Sequence, residues 1–428
     1  MENLKAYRVF LAMSAAQALA MATMFVTGTV YFVNGIGLDP LQLVLVGTTL
    51  EATAFLFEIP TGIVADAYSR RLSIWIGHFL LGAGFLLIGA LPLFSVLLAA
   101  QVVTGIGYTF LSGATEAWLA DEIGEAHVGT ALIRARQLER ITTIVGIIIG
   151  AILASLRLNL PFLVGGGLLL AIGVFLVGHM PETGFAPTAR YDRSTWGKMT
   201  GTFRDGARLV RRSRMLLLFF GIAFFWGAAS EGFDRLGDAH LLVNFAFPAI
   251  GNLQPVAWFG ILALAGTLVE LAANELFRTR LEAITRIASS TAKVLFVINA
   301  AMIAGMIVFA LAGEFWLAVA AMLWYGVFRS MGGPLYDAWL VQHIDSSVRA
   351  TVLSMRGQTD AIGQIVGGPG IGWIGQAVSL RAAIAAAGLL LSPALALYAR
   401  TIRHGRDMLT GGSPQEPELI EAVEATTS

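Results

Sequence analysis

Twelve apolar stretches, each about as long as a bilayer crossing, follow one another along almost the whole chain. They fall near 9–34, 41–64, 72–92, 96–120, 134–156, 160–180, 215–243, 255–275, 292–312, 315–341, 351–377 and 380–400. A helix needs about 20 mainly apolar residues to cross the hydrocarbon, and 56% of the 428 residues are apolar. Charged residues make up 13%, half the usual quarter for soluble proteins. The pattern therefore excludes a soluble enzyme, a disordered chain and a nucleic-acid-binding domain. It predicts an all-α membrane protein of twelve transmembrane helices. The first stretch reads as a retained span, since no small-residue cleavage site follows a short apolar run.

Most connections are only a few residues long. The long one, 181–214, carries a basic amphipathic run at 202–212 and reads as a cytoplasmic linker lying on the membrane surface. The expected domains are thus a six-helix bundle at 1–180, the linker at 181–214, a second six-helix bundle at 215–402 and a disordered acidic tail at 403–428. With the N-terminus inside, only Arg157 and Arg381 lie in outer loops, and Arg235 and Arg329 fall within spans. Of the 28 basic residues, 28 minus these four leaves 24 at the cytoplasmic side. The positive-inside rule then places both termini in the cytoplasm and the chain in the cell (inner) membrane. Net charge is zero and there are no cysteines, so no disulfide, thiolate or cysteine-bound metal enters the argument.

Residues 105–146 resemble residues 326–367 at an offset of 221. Glu116-Ala-Trp118-Leu119 aligns with Asp337-Ala-Trp339-Leu340, and Ile141-x-x-Ile-Val-Gly146 with Ile362-x-x-Ile-Val-Gly367. Span four thus corresponds to span ten and span five to span eleven, which predicts two parallel six-helix pseudo-repeat bundles, a recurring transporter plan. Glu116, Trp118, Asp337 and Trp339 become a candidate inner gate, with Arg136 and Arg356 as partners for the two acids.

After span two the chain reads Gly62-Ile-Val-Ala65-Asp66-Ala67-Tyr-Ser69-Arg70-Arg71. This resembles the G-x-x-x-D-R-x-G-R-R/K signature of the major facilitator superfamily, with Ala67 and Ser69 at two variant positions. Ser112-Gly-Ala-Thr-Glu116-Ala-Trp-Leu-Ala-Asp121 looks like span four of its drug-efflux-like members. The resemblance implies a gating motif of Gly62, Asp66, Arg70 and Arg71, with Asp66 meeting the start of span eleven near Asp345-Ser346-Ser347 when the cytoplasmic side closes. The efflux pattern G-x-x-x-G-P-x-x-G-G is absent from span five, which has only Gly146-x-x-x-Gly150. A similar run stands in span eleven from Gly363 to Gly372.

Charges within spans are costly and point to function. Glu51 and Glu58, seven apart, share a helix face and suit cation binding, proton carriage or a structural pair. Glu231, Asp234, Arg235 and Asp238 mark span seven, or an outer loop if that span is short. Glu270 in span eight and Asp360 in span eleven are further acids. Arg329 in span ten needs a carboxylate from another helix, because Asp337 lies about 12 Å along its axis. Together Glu51, Glu58, Glu231, Asp234, Glu270, Arg329 and Asp360 form the candidate proton and substrate site. His78 suits a proton shuttle or a helix contact, and Phe224, Phe225 and Trp226 suit a lipophilic pocket.

No catalytic set, metal cluster or ATP-binding loop appears, so neither an enzyme nor a cofactor is expected. The expectation is an alternating-access secondary transporter, acting as a monomer in the lipid bilayer. Its leading task is proton-coupled efflux of a small lipophilic or drug-like compound. Ion-coupled uptake of a metabolite is the alternative, favoured if Arg329 faces a polar cavity as an anion clamp. A sensor of the same fold is a further rival.

Overall fold

The computed structural model describes residues 2–186, 213–249, 255–285, 288–344 and 349–410. The amphipathic run 202–212, the capping residues Asp345–Ser347 and the chain beyond 410 lie outside these residues. Among the described residues there are helices and connections but no strands. Inside lipid a helix alone satisfies its own backbone groups. We number them by expected span: α1 is Glu2–Phe25, prolonged by Gly28–Val30 and a wider turn at Tyr31–Ile36, and α2 is Pro40–Ala67. Next come α3 (Arg70–Ala90), α4 (Phe94–Leu111 continued by Ala114–Ile123), α5 (Glu125–Leu156) and α6 (Leu160–His179). The second set is α7 (Arg214–Asn244), α8 (Val256–Thr285), α9 (Ala288–Leu311), α10 (Phe315–Val341), α11 (Arg349–Ala377) and α12 (Leu380–Leu390 continued by Ser392–Thr410).

Eleven of these are long and apolar enough to cross a membrane; α11 is not, contrary to the sequence expectation for 351–377. The reason is its position. It packs against both α2 and α7 and leaves only a narrow exposed stripe of large apolar residues, Ile362, Val366 and Trp373. A helix covered by protein on most faces needs little apolar surface. At the other end, α12 reaches Thr410, so residues 403–410, expected in the tail, are helical.

Local chemistry sets the helix starts. Asp39 accepts from the Gln42 backbone and Gln42 reaches back to the Asp39 N–H, with Pro40 at the first helical position of α2. Ser69, Ser213 and Ser379 cap α3, α7 and α12 by accepting from the backbone N–H three residues on. Residue Gly113 interrupts α4 with φ +70, a region an L side chain avoids. The position equivalent to it at the offset of 221 is Pro334, inside α10. Both halves thus mark the same level of the repeat with a helix-disrupting residue, by different means.

Packing repeats with the sequence. Helix α1 packs on α5 and α6, α3 on α4 and α6, and α2 on α4; the same pairs recur six helices later. Gly146 of α5 lies against the Leu19 carbonyl of α1, and Gly367 of α11 against Ala228 of α7. These small-residue contacts let the backbones approach closely where no hydrophobic force drives helices together in lipid. The halves meet through α2 with α11, α2 with α7, and α5 with α8.

Both repeat-related tryptophans are 1% exposed. Trp118 donates to the Pro181 carbonyl at 2.7 Å. Trp339 stacks on Tyr398 and meets Phe219 edge-on. Their place is in the interior of their own halves.

Candidate functional site

We call the face on which α1 begins the near face and the other the far face. Contacts joining the halves run along the far-face part of α2. Pro40 meets Gly375, Leu41 and Val44 meet Gly372, and Val44 and Thr48 meet Gly368. Gln376 donates to Asp39 at 3.5 Å, and Gly260 of α8 meets Ala151 of α5. Further along, Gly47 presses on Glu231 and Arg235 of α7; a Cβ there would fall on their side-chain heads. The near-face part of α2 is different: Leu56, Asp66 and Tyr68 are each about two-thirds exposed.

Where α2, α7, α10 and α11 converge, the structure gathers most of the charged residues singled out in the sequence. Helix α7 continues unbroken to Asn244, so its acids lie within a span-length helix, not in an outer loop. Arg329 of α10 holds both carboxylate oxygens of Asp234 on α7, one through Nη2 at 2.7 Å, and Nη1 also donates to the Tyr325 hydroxyl at 3.3 Å. One turn before Asp234, buried Glu231 accepts from Arg235 Nε at 3.0 Å. Glu51 of α2 lies within electrostatic reach of Glu231, Arg235 and Asp360. Asp360 of α11 accepts from Gln364 at 2.8 Å.

The Arg329–Asp234 pair opens on a cavity of about 650 Å³ between α7, α8 and α10. Glu270 and Asp238 complete its charged lining, while Phe233, Met322, Leu323 and Tyr325 supply apolar wall. Glu270 fits because Gly326 faces it: a Cβ there would lie 2.7 Å from its Oε1. Below it, Asn274 donates to Ser330 at 2.9 Å. The cavity therefore combines three carboxylates, one cation already held by a carboxylate, and apolar surface.

Other expected residues lie elsewhere. Glu58 accepts from Ser112 at 3.2 Å beside the break in α4; Tyr108 is the group within electrostatic reach of both Glu58 and Glu51. The loop motif braces the first half from within. Arg70 pairs with Asp121 of α4 at 2.5 Å, and lies 3.9 Å from Asp66. Arg71 donates from Nη2 to the Val177 carbonyl and stacks over Trp75. Glu182 accepts from Ser69 and from the Arg71 backbone, and Glu122 from Thr183 and Gly184. Asp337 pairs with Arg356 at 3.5 Å. Arg136 instead pairs with Glu139, and it shares with Glu116 a cavity of about 450 Å³ between α1, α4 and α5. Buried His78 bonds the Ile74 carbonyl at 2.8 Å, a helix contact. Trp226 donates to Asn299 at 2.6 Å and lines only a small void, so the aromatic trio of α7 does not form the main cavity.

Sequence reasoning missed Tyr325, Gln364, Asp121, Glu122 and Glu182. For the first two a signal existed: each stands four residues from a charge already singled out, the spacing that stacks side chains on one helix face. The bracing acids had no such signal, because their partners come from other helices.

A charged cavity thus lies among span-length helices. Residues 9–292 match the Major Facilitator Superfamily, and the chain belongs to that family of transporters; it is not an enzyme. It is 22% identical over 391 residues to the MFS-type transporter YxaM of Bacillus subtilis (strain 168), covering 91% of this chain and 94% of that one. Among solved structures, the nucleoside transporter NupG superposes with a TM-score of 0.74 at 15% identity, over 93% of this chain and 98% of that one. A bacterial homolog of the human lysosomal transporter Spinster superposes with a TM-score of 0.72 at 14% identity, over 93% and 96%. At such identities the likeness speaks for the fold.

Proposed function

We propose that the chain is a proton-coupled antiporter that exports a small lipophilic compound bearing a positive charge. On this reading all twelve helices span the cell membrane, in two parallel six-helix bundles that rock against each other and alternately expose the site in the second bundle. The excess of basic residues places the near face and both termini in the cytoplasm. Contact between halves at the far face and exposure of α2 at the near face then correspond to an inward-facing state.

The observation that carries the proposal is the lining of the 650 Å³ cavity. Arg329 already has its charge matched by Asp234, which argues against an anion clamp and so against uptake of an anionic metabolite. Asp238 and Glu270 remain as acids, and they can hold either a proton or a cationic group. Exchange of one for the other is the minimal chemistry of antiport: a site that must lose its proton to bind substrate, and lose its substrate to bind a proton, couples the two flows. The apolar wall suits the body of the compound. The protein acts as a monomer, since each chain contains a whole site.

The test is transport of lipophilic cations into proteoliposomes under an imposed pH gradient. Gradient-dependent movement that Glu270→Gln abolishes supports the proposal. Equal movement by the variant, or a preference for anions, overturns it.

A further inference from the structure

At the near face a second built feature lies far from the cavity, along the seam between α1 and α6. A groove of about 480 Å³ is lined by Leu4, Lys5, Arg8, Val9, Ala12, Phe175 and His179. Lys5 and Arg8 stand three residues apart, on one face of α1. Across from them His179 stacks on Phe175 with ring centroids 4.6 Å apart. Among the described residues no carboxylate lines the groove.

Several basic residues toward the same face are already held. Arg70 is paired with Asp121, Arg136 with Glu139, Arg278 with Glu275 and Arg356 with Asp337, while Arg71 is held by Val177 and Trp75. Among the described residues Lys5 and Arg8 have neither an ion pair nor a hydrogen bond from their side chains, and both are exposed. They rim a groove whose floor is apolar, on the outer surface of the helices. A soluble anion would use the rim and leave the floor wet. An amphiphile with an anionic head uses both, because basic pockets between helices at the cytoplasmic surface suit anionic headgroups and apolar chains gain from covering apolar surface.

We propose that this seam binds an anionic phospholipid, with its phosphate between Lys5 and Arg8 and an acyl chain along Val9, Ala12 and Phe175. Such a lipid would hold the start of α1 against the end of α6.

The experiment is native mass spectrometry of the full chain released from micelles containing phosphatidylglycerol or phosphatidylcholine. The expected result is selective retention of phosphatidylglycerol. Lys5→Gln with Arg8→Gln should weaken retention about 25-fold, at about fivefold per cation. Arg136→Gln with Arg278→Gln, an equal change of charge at two paired positions, should leave it unchanged. Equal loss in both double variants would show bulk charge attraction and overturn the site. Displacement of the lipid by inorganic phosphate would show a plain anion site and overturn the lipid assignment. Loss of cation transport in the proteoliposome assay bears on the cavity alone, so the two readings fail separately.

Discussion

Arg329 and Asp234, ninety-five positions apart in the chain, form a two-pronged ion pair between α10 and α7 at the rim of the main cavity. Arginine's fork matches a carboxylate in this geometry, and lysine does not. Arg329→Gln should strand Asp234 and lower stability by about 1–3 kcal/mol. Adding Asp234→Asn should recover most of that loss without restoring transport. Thermal unfolding in detergent, run as a double-mutant cycle beside a transport assay, separates the two effects.

The deeper pair, Glu231 with Arg235, sits where Gly47 of the other half presses on it. Glu231 is 2% exposed, so Glu231→Gln leaves a cation without its partner in a confined place. We expect a loss of about 3–5 kcal/mol, larger than at Arg329. A smaller loss by chemical denaturation or thermal shift than at Arg329 would contradict the burial argument.

Gly47 itself offers a steric test. The chain has no cysteines, so Asp39→Cys with Gln376→Cys gives a clean crosslink between halves at positions whose side chains meet at 3.5 Å. The pair should crosslink readily in the otherwise native chain. Adding Gly47→Leu should reduce crosslinking several-fold by wedging α2 away from α7. Undiminished crosslinking would mean that the far-face contact does not depend on this close approach.

The brace of the first half predicts a different signature. Arg70→Ala or Glu182→Gln removes hydrogen bonds that tie the α2–α3 loop to α4 and to the end of α6. Each should cost about 1–2 kcal/mol of stability while leaving the apparent affinity for a transported cation unchanged. A shift in affinity with no shift in melting temperature would assign these residues to the site instead.

Patterns along a single helix were legible in the sequence, and partners between helices were not. Apolar length gave eleven of the spans, and the offset of 221 gave the pairing of α4 with α10. Spacing of four gave Glu231 with Arg235. The need of Arg329 for a carboxylate on another helix followed from the cost of a lone charge in a span, but its identity as Asp234 required the packing of α10 on α7. Arg70 and Arg71 show the converse. Their motif was legible as a gate, and the partners they hold in this structure, Asp121, Val177 and Trp75, were not. Trp118 and Trp339 repeat at the expected offset because both halves need a large buried side chain there. The apolar content of α11 was overread, since a stretch long enough to cross the membrane need not face lipid.

That last helix has a consequence for biogenesis. A segment enters the bilayer from the insertion machinery according to its own apolarity, and α11 is the least apolar of the twelve. Its glycines fit against α7 and α2, so its stable home exists only once those two helices are already in place. On the twelve-span reading, the chain must therefore hold back its eleventh helix until its earlier helices have assembled a berth for it. A truncation that deletes α2 should then leave α11 outside the membrane, although its own sequence is intact.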